Sequence, residues 1–246
     1  MSKKWKEIAL RVLIAIPLYG LGFLALYKAP LWCWVLYVGV IGVSVASEVF
    51  WRLNTSVNTY KAYPHCVGLL ISAFISVSVL VQLGTNDKGR AIIALVAITV
   101  MVFDTMSMLS GWIWPSKWNK QITPKESKGK TWAGFIGGVV FTLVLGTFLY
   151  RYIDSNHTGL PSSLWFFVTL SVIPIVAFIG DLNESMAKRR LYRYVRNPNM
   201  PSWPMLDQGG IKDFSRSLGP HGGFSDRFDA MFMVFALLGP FWLWMI

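Results

Sequence analysis

Apolar residues in this chain come in blocks of about twenty, separated by short polar stretches. The blocks run from Ile8 to Tyr27, Leu31 to Trp51, Val67 to Leu83, Ala91 to Leu109, Thr131 to Tyr152, Ser162 to Ile179, and Phe228 to Ile246. Each is close to the length that crosses a ~30 Å hydrocarbon layer. In lipid only helices or closed barrels satisfy the backbone, and no block shows the alternation of a strand, so all are predicted to be helices. The third and sixth are the shortest. The expected fold is all-α, a polytopic integral membrane protein with about seven transmembrane helices, and residues 1–246 are expected to form a single domain without internal repeats.

Composition agrees with that reading. Hydrophobic residues make up 54%, aromatics 15% and charged residues 14%, with a mean hydropathy of +0.49, which excludes an ordinary soluble domain. A net charge of +11 would suggest nucleic acid in a soluble protein. Here the cations sit in loops between apolar blocks, where the positive-inside rule accounts for them, and no nucleic-acid partner is inferred. With the N-terminus in the cytoplasm, 19 of the 23 Lys and Arg fall inside, leaving Lys28, Lys88, Arg90 and Arg151 outside. The two long polar connections, 110–130 and 180–227, are then cytoplasmic. Cys33 and Cys66 have no ligand-like spacing and suggest neither a disulfide nor a zinc site. The basic N-terminus precedes a run too long for a signal peptide and without a small-residue cleavage site, so it is read as a retained first span.

The chemistry is concentrated in those two connections. Lys212 to Asp229 holds Asp213, Asp226 and Asp229, the cations Lys212, Arg216 and Arg227, and His221-Gly222-Gly223, just before the last apolar block. Glycines admit a phosphate to the backbone, carboxylates bind a hard cation, and Lys or Arg neutralise a polyphosphate. Asp226 and Asp229, three apart, share a helix face. Carboxylates at a helix start are also expected for capping alone, but the neighbouring Lys212-Asp213 and His-Gly-Gly favour a metal site. Upstream, Asp181, Ser185, Lys188 and Arg189 recur at helical spacing and share a face if the sixth helix continues into the cytoplasm; the plainer reading is a solvated helix end with a Glu184–Lys188 pair. Two acidic residues lie deep in apolar blocks, Asp104 and Glu48. Such groups line a cavity or pair with neighbours.

This pattern resembles that of the phosphatidate cytidylyltransferases (CDP-diacylglycerol synthases). Their motif reads Lys-Asp, a small residue, Pro or Gly, His-Gly-Gly, then Asp-Arg-x-Asp; Gly180-Asp181 and Ser185-x-x-Lys188-Arg189 match its first half. Asp104-Thr105, Gly111 and Lys130-Thr131-Trp132-Ala133-Gly134 resemble a second motif, Asp-x-x-Ala-Tyr-x-x-Gly and Ser-Pro-Lys-Lys-Thr-Trp-Glu-Gly. There are three departures. Glu126 to Gly129 look like extra residues, Ala133 stands where the family has Glu, and 190–211 is an insertion between Lys-Arg and Lys-Asp pairs that the family separates by four residues. Its Tyr192, Arg193, Tyr194, Arg196 and Trp203 suit a headgroup-level surface or a plain surface loop.

The resemblance implies transfer of a cytidylyl group from CTP to phosphatidate or a related lipid phosphate, giving CDP-diacylglycerol and pyrophosphate, in a bacterial-type inner membrane with the site facing the cytoplasm. It implies Mg²⁺ with a second cation such as K⁺, and a homodimer. It places Asp181 and Asp226 as metal ligands, with Asp229 and Asp213 as support, and Lys188, Arg189, Lys212 and Arg227 on phosphates. Asp104, Ser185, Lys125, Lys130, Thr131, Gly222 and Gly223 are expected to bind substrate, and Glu48 to support the site. His221 is read as a positioning residue, with a general base as the other reading, because a phosphate monoester with a second pKa of about 6 attacks without one. Two alternatives are a CTP-dependent lipid kinase of the dolichol or phytol type, releasing CDP, and a non-catalytic or transport protein on the same scaffold.

The charge count yields a topology test. A membrane-impermeant thiol reagent is expected to label Ser215→Cys only from the cytoplasmic face and Asn156→Cys only from the opposite one. Cytoplasmic labelling at 156 would overturn the span order between 131 and 180.

Overall fold

A computed structural model describes residues 16–55, 60–114, 120–123, 127–156, 163–194, 206–207, 210–211 and 224–246. Its helices are α1 (Ile16–Tyr27), α2 (Leu31–Thr55), α3 (Tyr63–Leu83), α4 (Asp87–Ile113), α5 (Trp132–Asn156), α6 (Ser163–Tyr194) and α7 (Ser225–Met245). The six from α2 to α7 are long and apolar enough to cross a membrane, and α1 is a shorter apolar helix over its described part. The chain is therefore an all-α integral membrane protein, in line with its hydropathy pattern.

Where helix ends depart from the apolar blocks, the cause is local chemistry. α3 starts at Tyr63, ahead of its block, with Pro64 in the first turn where a missing N–H costs nothing. α4 is capped by Asn86, whose side chain accepts from the Gly89 N–H at 2.7 Å. α6 does not stop with its apolar block at Ile179 but continues to Tyr194. Hydropathy marks the part of a helix that meets lipid, whereas Glu, Lys and Arg are good helix formers that carry it on into water.

Two small hairpins were not anticipated. β1 (Gln121–Thr123) pairs antiparallel with β2 (Ser127–Thr131), and β3 (Leu206–Asp207) with β4 (Gly210–Ile211). Most of the residues that look like an insertion at 126–129 thus belong to a hairpin strand that leads directly into α5. The second hairpin lies in the 190–211 insertion.

α3 is central and touches α2, α4, α6 and α7. Its core partners include Val38, Val96, Ile173, Val234 and Phe235. Large apolar side chains such as Val43, Phe74, Phe148, Leu164 and Trp244 point outward, as a lipid-facing surface requires. Inside, polar side chains tie helices together: Trp34 Nε1 donates to the Leu80 carbonyl at 2.9 Å, and Ser76 Oγ to that of Phe232. At Gly180 a Cβ would lie 2.8 Å from the Asp229 carbonyl oxygen and 3.0 Å from Ala230 Cα, so glycine there lets the α6 and α7 backbones meet.

Glu48 explains how α7 begins. Phe224, the residue at the helix start, makes no side-chain cap. Instead Glu48 reaches across from α2, and its carboxylate accepts the Phe224 and Ser225 N–H groups at 2.9 Å each and the Ser225 hydroxyl at 2.7 Å. The carboxylate is buried and sits at the positive end of the α7 dipole. Its expected supporting role is this inter-helix cap. Glu48→Ala is expected to cost about 2 kcal/mol, since it strands buried donors. Glu48→Gln, which keeps one acceptor oxygen, should cost less. Thermal midpoints in detergent equal to that of the unmodified protein would show that the cap contributes nothing.

Candidate functional site

A cavity of about 430 Å³ opens between α4, α5, α6 and α7, with Tyr19 of α1 at its edge. It is lined by four carboxylates, Asp104, Asp181, Asp226 and Asp229, and by the cations Lys130 and Arg227. Asp104 is exposed although it lies well inside the α4 span. It lines the cavity, the usual place for an ionisable group at membrane depth. The fourth, sixth and seventh spans thus enclose a polar cavity, and the start of α5 and Tyr19 complete its wall.

Two helices supply the charged end. On α6, Asp181, Glu184 and Lys188 follow one another at three and four residues, one stripe of the helix. α7 brings Asp226 and Asp229 alongside. Lys188 Nζ lies 2.6 Å from Glu184 Oε2 and 2.9 Å from Asp226 Oδ1. The ordinary helical pair expected at a solvated end does form, yet it is buried, with the Glu184 side chain 2% exposed, and the same lysine also binds α7. Breaking such a buried arrangement from one side costs several kcal/mol, about 3–5, because a charge is left alone.

A second lysine comes from the β1–β2 hairpin. Lys130 Nζ lies 2.6 Å from Asp181 Oδ2 and 4.9 Å from the centre of the Phe178 ring, so it is held by charge and by an aromatic face. Thr131 Oγ1 accepts from the Gly134 N–H at 3.2 Å and caps α5. The start of α5 therefore opens onto the cavity with its amide dipoles and one lysine, a disposition that suits an anion.

Ligand oxygens of Asp181, Glu184 and Asp229 all lie within 4.8 Å of one another. Glu184 Oε1 is buried and has no hydrogen-bond partner among the described residues. Such an orphaned carboxylate oxygen is costly unless a cation meets it, and one oxygen from each of these three carboxylates suits a hard divalent ion such as Mg²⁺. Of the two expected metal ligands, Asp181 stands with Glu184 and Asp229, the latter expected as support, while Asp226 Oδ1 lies 2.9 Å from Lys188 Nζ.

The remaining expected site residues fall into three groups. Asp104, Lys130, Thr131, Asp181, Asp226, Arg227 and Asp229 line the cavity, and Lys188 is attached to it through Asp226. Ser185 is buried and Arg189 half-buried on α6, and neither is among the described residues that line the cavity. Lys125, Lys212, Asp213, His221, Gly222 and Gly223 lie outside the described residues. Glu184, which the sequence suggests only as the partner of Lys188, also joins Asp181 and Asp229, and its place in the Asp181–Lys188 stripe is the signal for it. Tyr19 had no signal, since nothing local links it to residues more than 80 positions away.

A phosphatidate cytidylyltransferase of Rickettsia conorii is 27% identical over 243 residues, covering 96% of this chain and 92% of the relative. Those of Haemophilus influenzae and Staphylococcus saprophyticus are 29% identical over 150 residues and 26% over 171, covering 60% and 69% of this chain and 44% and 56% of the relatives. Residues 7–192 match the family described as the cytidylyltransferase family, a stretch that includes Asp104, Lys130, Asp181, Glu184 and Lys188, and the chain belongs to that family.

Proposed function

We propose that the protein transfers the cytidylyl group of CTP to phosphatidate, forming CDP-diacylglycerol and pyrophosphate, from the cytoplasmic side of a bacterial-type inner membrane. The observation that carries this reading is a membrane-embedded, water-reachable cavity in a cytidylyltransferase-family chain that sets Asp181, Glu184 and Asp229 beside Lys130 and Arg227. A site at the level of the bilayer gives a soluble nucleotide and a lipid phosphate a common place to meet.

In the reaction, an oxygen of the lipid phosphate attacks the α-phosphorus of CTP. The new P–O bond forms as the bond to the bridging oxygen breaks, and the electron pair leaves with pyrophosphate. Asp181, Glu184 and Asp229 would hold Mg²⁺, which when bound cancels charge between the phosphates. Lys130 and Arg227 stabilise the negative charge of the departing group, aided by the amide dipoles at the start of α5. Lys188 keeps Glu184 and Asp226 in place and so sets how α7 presents Asp229. No side chain has to remove a proton, because the lipid phosphate is largely ionised near neutrality with a second pKa of about 6. Asp104, deeper in the cavity, accepts hydrogen bonds from the nucleotide. Lys125, Lys212, Asp213, His221, Gly222 and Gly223 keep the phosphate-binding and positioning parts that the resemblance implies, and a second cation such as K⁺ and a homodimer belong to the same reading.

Incubation of the purified protein with labelled CTP, Mg²⁺ and a panel of phospholipids is expected to yield lipid-soluble label and pyrophosphate in equal amounts with phosphatidate. Release of CDP instead would replace the reading by γ-phosphoryl transfer to a lipid alcohol.

The ion-pair arrangement makes a finer distinction. Asp181→Asn, Glu184→Gln and Asp229→Asn should each lower turnover by about 100-fold or more and raise the Mg²⁺ concentration needed for half-maximal rate. Asp226→Asn, acting through Lys188, should lower kcat by about 10- to 100-fold without moving that concentration. If Asp226→Asn shifts the Mg²⁺ requirement as strongly as the other three, Asp226 is itself a ligand.

A further inference from the structure

A narrow apolar crevice lies beside the polar cavity. It is lined by α1, α2, α3, α4 and α7, among them Phe23, Trp34, Leu80, Ala97, Met231 and Phe235, with a free volume of about 50 Å³. The two spaces are joined by Tyr19, which lines both. The first turns of α7 divide in the same way: Arg227 and Asp229 line the polar cavity, while Phe228 between them lines the crevice. The Tyr19 and Phe228 rings stand 5.8 Å apart. The amphipathic Tyr19 ring therefore lies at the polar–apolar junction.

A nucleotide has no use for such a crevice, but a phosphate on a diacylglycerol needs an apolar path starting next to its binding site. We infer that the crevice seats the glycerol-proximal methylenes of one acyl chain of the lipid substrate, with Tyr19 where the headgroup meets the chain. The free volume holds about three to five groups the size of a water molecule, the beginning of one chain and not two whole chains. Seating the chain there directs the phosphate towards Arg227 and Asp229 on the neighbouring positions of α7. This inference rests on phosphatidate being the acceptor.

The test uses the full chain in nanodiscs of phosphatidylcholine, with a phosphatidate whose acyl chain carries a diazirine close to the glycerol. Cross-links are expected at crevice residues such as Met231 and Phe23, suppressed by excess dioleoyl phosphatidate and not by added phosphatidylcholine. Ala97→Leu, which fills the crevice, is expected to reduce this labelling and to raise KM for dioleoyl phosphatidate about tenfold, the effect of excluding roughly two methylenes from apolar contact, while KM for CTP changes less than twofold. Cross-links confined to outward-facing residues such as Leu24 and Phe74, or equal changes in both KM values, would overturn the inference. Because the cross-linking is done on the unmodified protein, a variant that fails to fold does not blunt the test. If the unmodified protein makes no lipid-soluble label from CTP and phosphatidate, it is the proposed reaction that fails; if it turns over and the crevice is not labelled, only the acyl seat does.

Discussion

Lys188 binding Glu184 and Asp226 at once is the contact on which the charged end of the cavity depends. A lysine taken out of water pays a large desolvation cost, and so does each carboxylate; only together, at hydrogen-bonding distance, are the three tolerated in a helical bundle. The consequence is mechanical. α6 and α7 cannot slide or rotate against each other without separating these charges, so Asp181 and Asp229 stay within reach of the same small volume. Lys130 does for the β1–β2 hairpin what Lys188 does for α7, anchoring it to α6 through Asp181.

Two features with no charge to offer a substrate make that contact possible. Gly180 allows the α6 and α7 backbones to approach closely one residue before Asp181, where a larger residue would hold them apart and lengthen every carboxylate separation in the site. Glu48 caps the start of α7 from outside, taking the amides that would otherwise seek water. The cavity is therefore surrounded by supports placed on α2, α5, α6 and α7, which suits chemistry that depends on positioning and charge cancellation more than on proton transfer.

Much of this was legible in the chain itself. Blocks of about twenty apolar residues allow little but membrane helices, because lipid offers no partner for a free peptide group. The density of Asp, Lys, Arg and Gly in 180–189 and 212–229 marked the chemistry, since charges beside a membrane are costly to keep. Helical spacing correctly placed Asp181 and Lys188 on one stripe and Asp226 and Asp229 on another.

What spacing could not decide was which charges meet. Local sequence puts Glu184 beside Lys188 as an unremarkable pair and says nothing about Asp226 joining them; that follows from how α6 crosses α7 at Gly180. The same holds for Glu48 on α2 capping a helix 177 positions away, for the hairpin in which most of residues 126–129 become a strand, and for Tyr19 standing between the polar cavity and the apolar crevice. Apolar periodicity and residue type are local, so the chain alone determined the helices, their membrane setting and the family of chemistry. Partner choice among buried charges depends on interhelical distances and crossing points, which many separate packing contacts set together, and only the tertiary structure decided it.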